Sequence, residues 1–325
     1  MAQSPPLLDV KNLHVVFDSE IVAVEDVSFS VAAGRTVGIV GESGSGKSVT
    51  ALAIMGLLPK GSTEVSGSAG FEGTNLLDLP DRALRDLRGD KIAMIFQEPM
   101  TSLNPAYRIG DQIVEAILRH RKTTRAEARE RAIDMLRLVR IPSPERRFSD
   151  FPHKLSGGQR QRVMIAMALA CNPKILIADE PTTALDVTIQ AQILVLMSQL
   201  KKETNAGVVL ITHDLGVVAE ACDEVVVMYA GQVVEKAPVA ELFSFPQHPY
   251  TVGLLSSLPK FDDREGQLPV IEGTLPNPRH PPAGCRFEAR CPFSIDKCAQ
   301  PPPLRALSQT RQSRCWRAPL EGIAL

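Results

Sequence analysis

The chain has 325 residues, of which 44% are hydrophobic and 22% are charged, and its formal net charge is −1. This composition excludes a disordered chain, and the balanced charge argues against a general binder of polyanions. The length predicts two domains of about 150 residues each. No apolar stretch approaches the roughly 18 residues of a membrane-spanning helix, and the N-terminus lacks the pattern of a secretory signal. We therefore expect a protein of the cytoplasm.

The first elements predict an α/β fold with a strand-rich N-terminal edge. Residues 8–17 and 22–31 carry β-branched side chains in partial alternation, which is typical of strands. The short apolar run Thr36–Val40 is followed by a glycine-rich turn and by a helix-like stretch from Lys47 to Leu58. A strand, a glycine-rich loop and a helix in that order indicate the start of an α/β unit.

The middle of the chain changes in texture and then returns to the α/β pattern. Good helix formers with helical periodicity over 109–120 and 125–139 predict helices, and we place a helical subdomain over about 100–165. Short apolar runs without alternation follow at 175–178, 208–211 and 225–229. Runs of this kind predict strands that are covered on both faces.

The last part of the chain differs in composition. Fourteen of the 25 prolines occur from Pro238 onward. We therefore predict one domain over 1–237 and a small, irregular domain over 238–325. Clustered cysteines are poor disulfide candidates in a reducing cytoplasm, so they either bind a metal or cluster or remain plain thiols. The four clustered cysteines are Cys285, Cys291, Cys298 and Cys315.

The glycine-rich turn fits the phosphate-binding pattern G-x-x-x-x-G-K-[ST]. Its residues are Gly41, Glu42, Ser43, Gly44, Ser45, Gly46, Lys47 and Ser48. The glycines let successive backbone N–H groups point at phosphate oxygens, and the following helix directs its positive end at the same anion. Lys47 would reach the β- and γ-phosphates, and the Ser48 hydroxyl would bind Mg²⁺. The loop therefore predicts binding of ATP with Mg²⁺.

Two acidic residues and a histidine follow apolar strands downstream. Asp179 would hold Mg²⁺, directly or through water, and Glu180 would take a proton from an attacking water. The alternative is that Asp179 and Glu180 are only the polar residues of a turn that follows the strand. His213 follows the run Val208–Ile211, where it would either reach a γ-phosphate or serve only a structural role.

The segment Leu155–Gln159 precedes an apolar helix and forms a second anion-binding surface, because its Ser and Gly N–H groups lie at a helix start. Two phosphate-binding surfaces in a chain with one obvious nucleotide loop suggest that two chains share their sites.

These motifs together, in this order, resemble the ATP-binding subunit of ATP-binding cassette (ABC) transporters over about residues 5 to 255. The resemblance implies that Gln97 contacts Mg²⁺ and the attacking water, that Asp186 lies at the dimer interface, and that His213 is the switch histidine. Phe17 is the candidate aromatic that stacks on adenine, with a plain core position on the N-terminal strand as the alternative. The residues that would bind the nucleotide of the opposite subunit are Ser156, Gly157, Gly158 and Gln159.

Further segments resemble the oligopeptide and dipeptide importers of this family. They are Phe96–Pro105, His248–Thr251, Gly273–Pro276 and Gly284–Pro292. This branch implies a heterodimer with a second homologous ATPase chain, two membrane permeases and an extracytoplasmic binding protein. It also implies a peripheral location on the cytoplasmic face of the inner membrane. Glu98 stands where an Asp is common in the branch, which we expect to matter little.

The resemblance gives the four tail cysteines a context, because this tail can carry an iron–sulfur cluster in the dipeptide branch. Gaps of five, six and sixteen residues separate them, and Pro292 follows Cys291. Four thiolates can hold a [4Fe–4S] cluster or tetrahedral zinc, and spacing alone does not decide between them. We expect the cluster, with Zn²⁺ and unliganded thiols as alternatives.

The leading hypothesis is an ATPase subunit that drives peptide import. The alternative is a cassette ATPase that acts on nucleic acid or ribosomes, since residues 285–317 hold seven Lys/Arg and two Asp/Glu. Against it, the ribosome-recycling relatives carry two nucleotide domains in one chain, and this chain has one GKS loop. Ser48 and Asp179 are also only 131 residues apart, which leaves no room for the long insertions of DNA-repair cassettes.

Overall fold

The computed structural model describes residues 5–98, 102–181, 187–257 and 271–320. Their strands are, in chain order, β1 (Leu8–Phe17), β2 (Ile21–Val31), β3 (Thr36–Val40), β4 (Thr63–Phe71), β5 (Thr74–Asn75), β6 (Ile92–Ile95), β7 (Ile175–Asp179), β8 (Gly207–Ile211), β9 (Glu224–Tyr229), β10 (Gln232–Pro238), β11 (Arg305–Ala306) and β12 (Gln312–Ser313). Their α-helices are α1 (Lys47–Ile54), α2 (Asp81–Leu87), α3 (Ile109–His120), α4 (Arg125–Leu138), α5 (Pro144–Arg147), α6 (Gly157–Leu169), α7 (Val187–Thr204), α8 (Leu215–Ala221), α9 (Val239–Ser244) and α10 (Pro249–Ser256). The predicted α/β class is confirmed.

The chain forms two compact units. The first unit comprises Met1–Leu8, Val31–Arg35 and Asp78–Ile211. The second unit comprises Asp9–Ser30, Thr36–Leu77 and Thr212–Leu325. The predicted division at residues 237 and 238 stays a prediction.

Three parallel strands form the sheet of the first unit. Strand β7 pairs with β6 on one side and with β8 on the other, so that Ile177 lies opposite Met94 and Val209. Every residue of these three strands is buried. Parallel strands are covered on both faces, which explains why the sequence shows continuous apolar runs here.

Helices α3, α4 and α6 pack against one another in the first unit, and α6 also packs against β6. Helix α4 begins with a capping box, in which the Thr124 hydroxyl accepts the Glu127 N–H and the Glu127 carboxylate accepts the Thr124 N–H. The Thr124 N–H and the hydroxyls of Thr123 and Thr124 all donate to the Glu127 carboxylate, and these three hydrogen bonds lower its pKa to about 2. The helix buries Ala128, Ala132 and Met135 at helical spacing.

The second unit contains a four-stranded sheet in the order β2-β1-β4-β5 and a further set of paired strands. Strand β9 pairs in parallel with β3 and antiparallel with β10. Strand β12 then pairs antiparallel with both β10 and β11. The proline-rich C-terminal segment, expected to be irregular, therefore extends this sheet with two short strands.

Helix α1 ends at Ile54, four residues before the predicted end at Leu58. Gly56 follows in the left-handed conformation, with φ 61°. Because a left-handed glycine ends a helix, the apolar residues beyond it lie outside the helix, with Leu57 exposed and Leu58 half-buried.

An aromatic cluster joins β9, α10 and the C-terminal segment in the core of the second unit. The ring centroids of Tyr229, Tyr250 and Phe287 lie 4.7–5.5 Å apart with edge-on geometry. His248 precedes α10, and its Nδ1 accepts the Tyr250 N–H at 3.1 Å. Complete burial lowers the pKa of His248 to about 3, so that the imidazole stays neutral and keeps its acceptor.

Within the described ranges, none of the helices combines the length and the apolar character needed to cross a lipid bilayer.

Candidate active site

The phosphate-binding loop lies in the second unit and connects β3 to α1. The helix begins at Lys47, and Gly46 precedes it with φ 98°. At Gly41, whose φ is 150°, a Cβ atom would lie 2.1 Å from the carbonyl oxygen of Met228. Only glycine fits there, because a side chain would collide with the backbone of β9.

Two buried polar side chains of this loop fit an anionic ligand. Lys47 is 6% exposed, and its Nζ donates to the carbonyl oxygens of Gly41 at 2.7 Å and Glu42 at 2.9 Å. The Ser45 hydroxyl is fully buried and has no hydrogen-bond partner among the described residues. Since a buried hydroxyl without a partner is costly, a phosphate oxygen bound in the loop would relieve it. The loop therefore fits the triphosphate that the sequence predicts.

Residues from the C-terminal part of the same unit hold Glu42, the second residue of the loop. The Glu42 N–H donates to the Tyr250 hydroxyl at 2.8 Å. The Glu42 carboxylate accepts from Arg290 Nη1 at 2.9 Å and Nη2 at 3.2 Å. Sequence reasoning missed both partners, although they lie in the branch-specific segments His248–Thr251 and Gly284–Pro292.

The first unit carries the two acidic residues at the end of β7. Asp179 is 3% exposed and lies opposite Ile211 of β8. Glu180 follows with φ 46°, and its N–H donates to the Ile211 carbonyl at 2.9 Å. A left-handed conformation costs a non-glycine residue about 1–2 kcal/mol. Such a local cost is common at functional sites, where it re-directs a side chain.

The segment Leu155–Gln159, the signature segment, caps helix α6 in the first unit. Ser156 Oγ accepts the Gln159 N–H at 3.3 Å, and Gln159 Oε1 accepts the Ser156 N–H at 3.2 Å. Ser156 and Gly157 are exposed, and a Cβ added at Gly157 would meet no atom within 4 Å. An exposed, capped helix start is available to an anion, as the sequence predicts.

The remaining predicted residues lie near strand ends or outside the described part. Gln97 is exposed, two residues after β6, and His213 is exposed, two residues after β8. Asp214 follows His213 and caps α8, because its Oδ1 accepts the Gly216 N–H at 2.8 Å. Phe17 is the half-buried last residue of β1. Asp186 lies outside the described residues.

The predicted site residues are divided between the two units. Ser48 belongs to the second unit, and Gln97 and Asp179 belong to the first. Their hydroxyl, amide and carboxylate oxygens are the hard donors that Mg²⁺ prefers. The chemistry of this donor set therefore fits the predicted Mg²⁺.

The tail cysteines share one region of the second unit and are buried or half-buried. Burial and, to a smaller extent, the other three sulfurs together raise the pKa of Cys285 to about 11. The Arg317 N–H donates to Cys315 Sγ at 3.4 Å. Among the described residues, no group of three or more Cys, His, Asp or Glu side chains is arranged to hold a metal ion. The four thiols fit a cluster or zinc in kind, and the predicted cluster stays a prediction.

Comparisons with known proteins agree with these motifs. Residues 24–183 match the family model for ABC transporters, and residues 234–298 match that for the oligopeptide/dipeptide transporter C-terminal region. A probable peptide ABC transporter ATP-binding protein of Sinorhizobium fredii is 54% identical over 318 residues, covering 96% of this chain and 95% of that one. The oligopeptide transport ATP-binding protein OppD of Salmonella typhimurium is 50% identical over 320 residues, covering 98% and 95%.

Solved structures that are similar to this chain also have the fold of an ATP-binding cassette. An ATP-binding cassette, determined as a dimer in a post-hydrolysis state with ADP and Pi, is 31% identical with a TM-score of 0.65. The match covers 71% of this chain and 98% of that one. The nucleic-acid alternative finds no support, because the curated relatives described above are named for peptide transport.

Proposed function

Because the chain belongs to the ATP-binding subunits of ABC transporters in the oligopeptide and dipeptide branch, we propose that it hydrolyses ATP to drive import of short peptides, with Lys47 and Glu180 at the centre of the reaction. The observation that carries the proposal is the phosphate loop, with its buried Lys47 and with a buried Ser45 hydroxyl that has no hydrogen-bond partner in the part of the chain that the structure describes.

Each residue has a distinct task in this reaction. The backbone N–H groups of the loop and Lys47 bind the phosphates. Ser48, Gln97 and Asp179 would hold Mg²⁺, which neutralises charge on the phosphate oxygens when it is bound. Glu180 accepts the proton of the attacking water, and His213 stabilises the γ-phosphate. The Phe17 ring stacks on the adenine.

The exposed helix start at Ser156 and Gly157 supports a shared site. We assign Ser156, Gly157, Gly158, Gln159 and Asp186 to the nucleotide of a second, homologous ATPase chain. Closure of two chains around two ATP molecules would then drive two permeases, which receive peptides from an extracytoplasmic binding protein. The chain would lie peripherally on the cytoplasmic face of the inner membrane.

We assign a four-thiolate site to the C-terminal segment, with a [4Fe–4S] cluster as the first expectation and Zn²⁺ as the alternative. Support comes from the four cysteines in one region and from the backbone N–H groups that donate to the sulfurs of Cys285, Cys291 and Cys315. Such hydrogen bonds stabilise thiolates. Anaerobically purified protein should contain about four irons per chain, and Cys291→Ser should remove them. One zinc per chain would exclude the cluster, and absence of both metals would exclude the site.

The ATPase proposal is tested with Lys47→Ala and Glu180→Gln in the assembled transporter. Lys47→Ala should weaken ATP binding, whereas Glu180→Gln should keep ATP binding and nearly stop turnover, because an amide does not accept the proton. Peptide uptake should stop in both variants. Glu130→Gln, a change at an exposed helical position, is the control. Wild-type turnover in Glu180→Gln would contradict the assignment of the base.

A further inference from the structure

Glu42 uses all three of its polar groups within the second unit. Its N–H donates to Tyr250, its carbonyl accepts from Lys47 and from the Ser45 N–H, and its carboxylate accepts from Arg290. We propose that Arg290 is a positioning residue for ATP: it holds Glu42 and thereby fixes the phosphate loop in the shape that binds the triphosphate. The inference depends on the proposed role of this loop.

Contacts other than the one with Glu42 also fix the guanidinium of Arg290. Its Nε donates to the Glu272 carbonyl at 2.8 Å, and its Nη2 donates to the Ile271 carbonyl at 3.0 Å. Its carbon centre lies 5.7 Å from the Tyr229 ring centroid and 5.9 Å from that of Phe287. The side chain is only 7% exposed. A pre-organised, two-pronged ion pair of this kind contributes more than an exposed surface pair.

A displacement of Glu42 would directly move the groups that bind phosphate, because two of them donate hydrogen bonds to its carbonyl. The Lys47 ammonium donates to the Glu42 carbonyl at 2.9 Å, and the Ser45 N–H donates to it at 3.1 Å. Any rotation of the Glu42 peptide therefore alters the positions of both Lys47 and Ser45. Since phosphate binding depends on converging N–H groups, a small rotation of this peptide lowers affinity.

The position of Arg290 in the chain connects ATP binding to the cysteine segment. Arg290 ends the 3-10 turn Glu288–Arg290 and directly precedes Cys291. The Cys291 N–H donates to the Glu288 carbonyl at 3.1 Å, so that the turn and the cysteine are ordered together. The side chain of Arg290 thus connects the ordered cysteine segment to Glu42 of the phosphate loop.

The first measurement is ATP affinity of the full-length chain by calorimetry, together with KM and kcat for ATP in the assembled transporter. Arg290→Ala should raise Kd and KM for ATP about tenfold and change kcat less than about twofold. Arg290→Lys should show a smaller rise, because an ammonium keeps the charge and loses the fork. Tyr250→Phe, which removes only the hydroxyl, should also raise Kd several-fold.

The paired variant Glu42→Gln separates positioning from a simple charge effect. If Arg290 acted only as a positive charge near the phosphates, Glu42→Gln would tighten ATP binding and the two changes would offset each other. If Arg290 positions the loop, both single variants weaken binding and the double variant is no worse than either one.

The control is Arg279→Ala. Arg279 lies in the same C-terminal segment as Arg290, and its exposed side chain pairs with Glu20, which lies between β1 and β2. This variant should leave Kd within twofold of wild type. Wild-type Kd in both Arg290→Ala and Tyr250→Phe, with binding lost in Lys47→Ala, would overturn the inference and leave the ATP site intact. Opposite, additive effects of Arg290→Ala and Glu42→Gln would also overturn it. Wild-type Kd in Lys47→Ala would reject the loop assignment itself.

Discussion

The side-chain amide of Gln161 donates a hydrogen bond to the backbone carbonyl of Pro181. Gln161 is 1% exposed on helix α6, five residues after Ser156, and Pro181 directly follows Glu180. One buried side chain within the first unit therefore ties the helix of the signature segment to the turn that carries the proposed base.

Replacement of Gln161 by Met should lower kcat several-fold without changing the Kd for ATP. The variant keeps the side-chain volume and leaves the buried Pro181 carbonyl without its donor, which costs about 1–3 kcal/mol and loosens the turn at Glu180. ATPase assays of the assembled transporter measure the effect. Arg162→Met is the control. Arg162 lies on the same helix as Gln161, and the change removes its hydrogen bond to the Arg140 carbonyl. Equal losses of kcat in the two variants would contradict a specific role for Gln161.

Gly41→Ala should abolish measurable ATP binding. The added Cβ would lie 2.1 Å from the Met228 carbonyl oxygen and 2.8 Å from Ser45 Oγ, so that the loop must move. Gly61→Ala is a matched control, because Gly61 also has a positive φ and its Cβ would meet nothing within 4 Å. Both variants bear backbone strain of about 1–2 kcal/mol, and only Gly41→Ala disturbs the loop. Calorimetric titration with ATP distinguishes them, and normal binding by Gly41→Ala would disprove the close approach.

Ser156→Asp should reduce hydrolysis by the assembled transporter at least tenfold while the isolated chain binds ATP normally. Aspartate caps a helix as well as serine does, so thermal stability should stay the same. Its carboxylate, however, would repel the γ-phosphate held by the second chain. Thr124→Asp, at the other capping box, controls for the added charge. A loss of ATP binding by the isolated Ser156→Asp chain would contradict a shared site.

Glu235 should make the second unit less stable as pH rises. It is 1% exposed, and its Oε1 accepts the Gln247 N–H at 2.7 Å. Burial raises the pKa of this carboxyl from 4.5 to about 7, although Arg311 and the hydrogen bonds around it act in the opposite direction. The folded state therefore holds a proton that the unfolded state has released. The contribution to stability is complete below pH 4.5 and is lost as pH rises through 7.

The shift corresponds to about 3 kcal/mol of unfolding free energy between pH 4.5 and pH 8. In Glu235→Gln this pH dependence should disappear, since the amide does not ionise. Denaturant unfolding of both proteins at pH 5 and pH 8 gives the comparison. Glu241→Gln is the control, because Glu241 also pairs with Arg311 and is 45% exposed. Parallel pH profiles for wild type and Glu235→Gln would show that Glu235 ionises normally.

Much of the site was predictable from the sequence because its parts are local. Strand β3, the phosphate loop and α1 follow one another within about twenty residues, and their pattern depends on glycine conformations and apolar runs that a short segment determines by itself. The continuous apolar runs of β7 and β8 also predicted strands that are covered on both faces. The capping box of Ser156 and Gln159 again involves neighbours in the chain.

Only the tertiary structure revealed how the C-terminal segment supports this site. Tyr250 and Arg290 contact Glu42 across separations of 208 and 248 residues, and Arg311 lies 3.8 Å from the buried Glu235 carboxylate. No local pattern encodes such contacts, because an arginine between two cysteines has the same local preferences whether it faces water or a carboxylate of the phosphate loop. The sequence alone thus determined the phosphate loop and its strands, and folding of the distant tail decided what holds that loop in place.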